Sequence, residues 1–177
     1  MMFGDPNRVA IEIGELDTSI EPGKIYVPIQ FLIFGTPIGV WDDRLQLITA
    51  LRNMDDFLEN RADRRDDSLR NLDSRTFFDR TFTDYYEGEY IVGVVAPNLR
   101  DRFHLSEIAS DTIIDLYAIV VADVSADSSR IVVKEFDTER IILDGEFETA
   151  EFDAMCQEFV DWANGIYEKF GPATNES

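Results

Sequence analysis

Apolar residues alternate with other residue types in two stretches near the start of the chain. Val9, Ile11 and Ile13 form the first stretch, and every second residue from 25 to 33 forms the next. This period of two predicts strands with one buried face. Because Pro28 lacks an amide hydrogen, we expect an edge or bulged position there. After a turn at residues 35–37, residues 38–41 form a short third segment.

The spacing of apolar residues changes to three and four beyond position 43. This spacing predicts a helix over residues 43–59, with Asp42 or Asp43 accepting hydrogen bonds from its first free amides. The next segment, residues 61–70, is almost entirely charged or polar, so we expect a solvated connection. The predicted buried face of the helix consists of Leu47, Ile48, Leu51, Met54 and Leu58.

The remaining apolar segments predict more strands than helices. Ser74 is placed to cap a short helix carrying Phe78, Phe82 and Tyr85, although these aromatic residues also suit a strand or a packed loop. Strands are predicted at residues 89–95, 113–124, 130–136 and 140–143, with a hairpin connection at 125–129 and a turn at 144–145. A long C-terminal helix is predicted to be capped by Thr149, to end before Gly171-Pro172, and to bury Phe152, Cys156, Phe159, Ala163 and Ile166.

Clustered β segments with short connections predict an α+β fold, in which a mainly antiparallel sheet packs against a central helix and the long C-terminal helix. A length of 177 residues fits one domain, expected at residues 1–170, with a disordered tail at 171–177. The 45% hydrophobic content argues against a disordered chain. Since the start does not resemble a secretory signal and no apolar run approaches the ~20 residues of a membrane span, we expect a soluble cytoplasmic protein with no membrane partner.

Few residues in the chain suit catalysis or metal binding. The one cysteine, Cys156, falls on the apolar face of the last helix, where a buried thiol is inert, and His104 is the one histidine. Residues 123–129 resemble the start of a calcium loop, but Ser128 replaces the turn glycine and Lys134 stands where a bidentate glutamate is required. No phosphate-binding glycine loop or zinc spacing occurs. We therefore predict that the chain is not an enzyme and has no catalytic residue, cofactor or metal.

The charge is the most unusual property of the composition. The chain has 36 acidic and 16 basic residues, a formal charge of -20, and 17 of the acidic residues against four basic ones lie in residues 104–177. Such a field repels nucleic acid and attracts a basic partner, so a protein partner is expected and a nucleic acid is not. We expect that partner to contact the carboxylates around the last strand and helix, with exposed aromatic residues as anchors: Glu135, Asp137, Glu139, Asp144, Glu146, Glu148, Glu151, Asp153, Glu158 and Asp161.

A short motif at the start of the chain suggests a family. The segment Met2-Phe3-Gly4-Asp5-Pro6, followed by an apolar strand with Val9-Ala10-Ile11, resembles bacterial immunity proteins of polymorphic-toxin and contact-dependent growth inhibition systems, and is most similar to the immunity protein forty-two family. The resemblance implies a small cytoplasmic antidote that binds one cognate toxin domain and blocks its active site or its approach to substrate. Toxin domains of this kind are often basic nucleases, which would suit the charge.

Three other interpretations remain open from the sequence. A DNA mimic would use rows of carboxylates to imitate phosphate spacing and antagonise a nucleic-acid-binding protein. A salt-adapted protein would carry many surface carboxylates for solvation alone, as 21 Asp against three Lys suggest. An enzyme would use carboxylates together with His104.

Overall fold

The alternating apolar residues of the first half build an antiparallel sheet. The computed structural model describes residues 1–82, 102–108 and 111–170. The first sheet contains β1 (Met2–Gly4), β2 (Val9–Ile13), β3 (Tyr26–Ile33), β4 (Thr36–Ile38) and β5 (Arg44–Gln46). The strand order is β1-β2-β3-β4, and β5 also pairs with β3. Because Ile11 lies opposite Phe31 and Ile13 opposite Ile29, the predicted apolar positions share one buried face.

Pro28 lies in β3 at the point where the partner of this strand changes from β2 to β5. Pairing of β3 with β2 ends at Ile29, and pairing with β5 includes Pro28 opposite Arg44. The amide of Gly14 donates to the Pro28 carbonyl at 3.0 Å, so the hydrogen that proline lacks would point past the end of β2.

The turn between β3 and β4 is tighter than predicted, because Phe34 and Gly35 both have positive φ and β4 starts at Thr36.

The first long helix, α1 (Leu47–Glu59), begins four residues later than predicted. Residues 44–46 pair with β3 instead of starting the helix, and the N-cap is Gln46 without a side-chain capping bond. The proposed capping by Asp42 or Asp43 is therefore wrong. Ile48 and Leu58 are only partly buried at the edge of the core. The buried face consists of Leu47, Ala50, Leu51, Met54 and Phe57.

A second antiparallel sheet has the order β6-β7-β8. Its strands are β6 (Tyr117–Asp123), β7 (Ser128–Glu135) and β8 (Arg140–Glu148), and the hairpin predicted between the first two is confirmed. The strand predicted at 113–124 is wrong over its first four residues, because residues 111–116 form the short helix α3 (Asp111–Leu116). Both faces of β6 are buried, and an uninterrupted apolar run does not distinguish a buried helix from a buried strand.

The turn predicted at 144–145 is also wrong, since β8 continues through it to Glu148. Gly145 serves close packing instead: a Cβ there would lie 2.4 Å from Cζ of Phe34, at the turn between β3 and β4. Glycine in a strand often marks such an approach by another element.

Helix α2 (Ser74–Phe78) packs on the outer face of the second sheet. Its N-cap is Asp73, whose carboxylate accepts from the amides of Arg75 and Thr76, so the cap lies one residue before the predicted Ser74. Phe77 and Phe78 are buried there. Short 3-10 helices occur at Arg61–Arg64, Asp67–Leu69 and Ser106–Ile108. The predicted strand at 89–95, the role of Tyr85, the stop at Gly171-Pro172 and the tail lie outside the described residues.

The second sheet separates two apolar cores. The larger core joins the first sheet, α1 and the long C-terminal helix α4 (Thr149–Phe170), whose Phe152, Cys156, Phe159 and Ala163 are buried as predicted. Burial raises the pKa of the Cys156 thiol strongly, which agrees with a structural cysteine. The smaller core lies under α2. The predicted α+β class is confirmed, with two antiparallel sheets, and no described helix is long and apolar enough to cross a membrane.

Candidate functional site

The ten carboxylates predicted to contact a partner lie in different parts of the second sheet and helix α4. Glu135, Asp137 and Glu139 lie at the connection between β7 and β8. Strand β8 then runs for nine residues before α4 begins, a span of about 26 Å at ~3.3 Å per residue. The carboxylates at the start of β8 and those on α4 therefore lie at opposite ends of this strand and do not form one surface. The other members, on β8 and α4, are Asp144, Glu146, Glu148, Glu151, Asp153, Glu158 and Asp161.

Several of the ten carboxylates already bind cations of the chain itself. Lys134 contacts Glu139 at 2.5 Å, and Arg130 donates two hydrogen bonds to Asp144 at 2.8 and 2.6 Å. Burial alone would raise the pKa of Asp144, but the hydrogen bonds from Arg130 and Ser74 outweigh it and hold the pKa below its usual range. These interrupted charges differ from the continuous row of free carboxylates that a DNA mimic requires.

Asp153 pairs with the buried guanidinium of Arg64, which also corrects the prediction that residues 61–70 are solvated. Arg64 has no exposed side-chain surface, and its Nη2 lies 2.5 Å from Asp153. Oδ2 of Asp123, on β6, lies 3.8 Å from Nε of Arg64. The guanidinium also stacks over the ring of Phe57, with 4.7 Å to the centroid. Asp153 therefore holds together the 3-10 segment, α1 and α4.

The exposed face of α4 carries three of the carboxylates that remain at the surface, while Asp137, Glu139, Glu146 and Glu148 are exposed outside this helix. Glu151, Glu158 and Asp161 are exposed and follow one another along about three turns of the helix, with exposed Ala154 between them. Glu151 lies in the first turn, where the helix dipole stabilises a negative charge. Asp161 accepts a hydrogen bond from Gln157 at 3.0 Å. This stretch is the acidic surface of α4.

Two grooves flank the acidic surface of α4, and Ala154 lines both. The N-terminal groove, with a volume of about 270 Å³, lies between α4 and the start of the chain, and is lined by Gly4, Asp5, Arg8, Val9, Phe147, Glu151, Phe152, Ala154, Met155 and Glu158. The interhelical groove, with a volume of about 480 Å³, lies between α1 and α4, and is lined by Asp55, Leu58, Glu59, Arg61, Asp153, Ala154 and Gln157.

The opening motif of the chain builds one wall of the N-terminal groove. Phe3 packs edge-on against Phe159 of α4, with 6.0 Å between ring centroids. Gly4 has a φ of +83°, and a Cβ there would lie 2.5 Å from the Val9 carbonyl oxygen and 2.9 Å from Met155. Only glycine fits this position without strain or collision. Asp5 then projects at the rim.

Replacing Gly4 with alanine is therefore expected to destabilise the fold by about 3 kcal/mol, combining left-handed strain with a collision. Gly23→Ala is the matched control, because Gly23 has a φ of +77° but nothing within 4 Å of the added Cβ. We expect the control to cost about 1 kcal/mol, from strain alone. Urea unfolding of both variants measures the difference, and equal costs would show that the close packing at Gly4 contributes nothing.

The other residues considered for chemistry have structural surroundings. Asp123 accepts a hydrogen bond from Ser129 at 2.6 Å inside the protein rather than lining an open loop. His104 is buried beside Phe82, with 5.2 Å between ring centroids. Among residues 1–82, 102–108 and 111–170, no group of three or more His, Cys, Asp or Glu is placed to hold a metal ion.

Comparison with known proteins gives the family. The model of the family described as Immunity protein 42 matches residues 1–162 of the chain. The chain belongs to this family. Immunity proteins are non-enzymatic inhibitors that bind a cognate toxin protein, so the predicted family and the prediction that the chain is not an enzyme are confirmed.

A solved structure shows the same fold as this immunity protein. The crystal structure of CdiI from Burkholderia dolosa AUO158 superposes with a TM-score of 0.68 and 16% sequence identity, covering 92% of this chain and 99% of that one. At this identity the likeness shows the shared architecture. No curated protein matches the chain at a significant level.

The N-terminus of the immunity protein contributes a part of the site that the sequence pattern did not predict. Asp5 and Arg8 line a groove with α4 although more than 140 residues separate Arg8 from Glu151 in sequence. Gly4 was the sequence signal for this part of the site. A strand does not require glycine, whereas a left-handed, tightly packed backbone position does. Among the described residues, Trp41 and Phe170 are exposed aromatic side chains, and neither lines the N-terminal or the interhelical groove.

Proposed function

We propose that this immunity protein binds its toxin through the acidic surface of α4, and that the toxin domain is basic and of the nuclease type. The observation that carries the proposal is the position of the exposed Glu151 and Glu158 in the lining of the N-terminal groove, with the exposed Asp161 farther along the same helix, which offers both charge and concave shape to a partner. The formal charge of -20 supports a basic partner of opposite sign. We also propose that the two proteins meet in the cytoplasm.

Electrostatic attraction gives this mode of binding a speed that an antidote requires. An inhibitor must reach its toxin before the toxin reaches its substrate, and opposite fields raise association rates to ~10⁸–10⁹ M⁻¹s⁻¹ at low salt. If the toxin binds nucleic acid through a basic cleft, the same cleft attracts the carboxylates of α4. Occupying that cleft excludes the substrate without any chemistry by the inhibitor.

Stopped-flow association with the purified cognate toxin domain tests the proposal. We expect tight binding, loss of toxin activity, and an association rate that falls at least about tenfold between 0.05 and 0.5 M salt, since screening shortens the reach of the field. The dissociation rate should change much less. Absence of binding would overturn the proposal. Binding at an association rate that does not depend on salt would contradict two parts of the proposal, the acidic surface as the binding site and the basic character of the toxin.

A further inference from the structure

The N-terminal groove already holds one cation at its rim. Arg8 of the segment after β1 donates a hydrogen bond to Glu151 of α4 across the groove. Their side chains are 47% and 53% exposed, so both can exchange this contact for water or for another partner. We infer that Arg8 occupies the position of a toxin side chain: in the complex, an arginine or lysine of the toxin enters the groove and displaces Arg8 from Glu151. This inference rests on the proposed function.

The lining of the groove suits a long basic side chain. Its floor is apolar, with Val9, Phe147 and Phe152 buried and Met155 beside them, whereas its rim is charged. Arginine and lysine combine an aliphatic stem with a charged end, so the stem can cover the floor while the end remains at the rim. A purely apolar side chain would leave the rim charges without a partner.

The charge balance of the groove leaves room for a second cation. Its lining has three carboxylates, Asp5, Glu151 and Glu158, against one guanidinium, that of Arg8. Exposed ion pairs such as Arg8 with Glu151 contribute little to stability, so displacing Arg8 costs the inhibitor little. The interhelical groove also has three carboxylates against one guanidinium in its lining, but one of them, Asp153, is already bound to the buried Arg64.

A small probe tests the chemistry of the groove without the toxin. The methyl resonances of Met155 and Val9 in the full-length protein are followed by NMR during titration with acetyl-arginine amide, and with acetyl-citrulline amide as the uncharged control of the same shape. We expect shifts that saturate with the arginine probe only, and half-saturation at a several-fold lower concentration in Arg8→Gln. No arginine-dependent shift in either protein would overturn the inference and leave the proposed function standing.

Binding of the immunity protein to the purified cognate toxin domain tests the role of the groove in the complex. We expect Glu158→Gln to raise the Kd about tenfold, mainly through faster dissociation, whereas Glu168→Gln, which removes the same charge from an exposed site farther along α4, changes it less than about twofold. Arg8→Gln should lower the Kd several-fold, because it removes a competitor. Arg75→Gln, with a side chain 89% exposed, controls for the change in net charge and should leave the Kd nearly unchanged.

The outcomes separate this inference from the proposed function. Equal effects of Glu158→Gln and Glu168→Gln, or weaker binding by Arg8→Gln than by Arg75→Gln, would overturn the inference while the wild-type complex still forms. Failure of the wild-type protein to bind the toxin would overturn both. Circular dichroism melting curves of the four variants, expected to match the wild type, show that the changes in Kd do not come from unfolding.

Discussion

Reversing two charges on helix α4 is expected to abolish protection against the toxin. In the double variant Glu158→Lys/Asp161→Lys, two of the three exposed carboxylates of the acidic surface become cations, which a basic toxin domain would repel. We expect the Kd to rise at least about 100-fold, equivalent to about 2.7 kcal/mol. Calorimetric titration with the toxin domain measures the Kd, and survival of cells expressing that domain measures protection.

The connection between β7 and β8 provides the matched control for this prediction. Asp137→Lys/Glu139→Lys makes the same change in net charge at exposed positions at the other end of β8 from α4. If the acidic surface of α4 is the interface, the control should change the Kd less than about threefold at physiological salt, because exposed charges separated by more than a Debye length are largely screened. Equal losses in both variants would show that net charge matters and position does not. No loss in either would place the interface elsewhere.

The sequence predicted the elements whose apolar period is clear, and failed where a distant partner decides the structure. Strands β2 and β3 and helix α4 follow directly from periods of two and of three to four residues. Residues 44–46 continue a helical pattern but pair with β3, so tertiary hydrogen bonds override the local preference there. Gly145 resembles a turn residue, and only the ring of Phe34 explains why it lies inside a strand.

The candidate site shows the same limit in electrostatic terms. The concentration of carboxylates near the C-terminus was visible in the sequence, but which of them remain free was not. Asp153 and Glu158 are similar in sequence context, yet one is paired with a buried guanidinium and the other lines an open groove. The difference depends on Arg64, 89 residues earlier in a segment whose polarity predicted full exposure. Local patterns cannot show that a charge is buried when its counter-charge is distant.

Neutralising Asp153 should destabilise the protein far more than neutralising any exposed carboxylate of α4. Arg64 has no exposed side-chain surface, so in Asp153→Asn its guanidinium stays buried without its close counter-charge, with Asp123 at 3.8 Å as the remaining carboxylate. Breaking a buried pair in this way costs about 3–5 kcal/mol, a large share of a typical domain stability of ~5–15 kcal/mol. Asp161→Asn, an exposed change on the same helix, should cost less than about 0.5 kcal/mol. Urea unfolding measures both.

A second substitution shows whether the uncompensated charge is the cause. Arg64→Met in the Asp153→Asn background removes the buried charge and keeps an unbranched side chain over the ring of Phe57, so it should recover part of the lost stability. A loss below about 1 kcal/mol for Asp153→Asn, or no recovery in the double variant, would contradict the role assigned to the pair. Where Asp153→Asn remains folded, its toxin affinity should match that of the wild type, since Asp153 is bound to Arg64 and the proposed interface depends on Glu158 and Asp161.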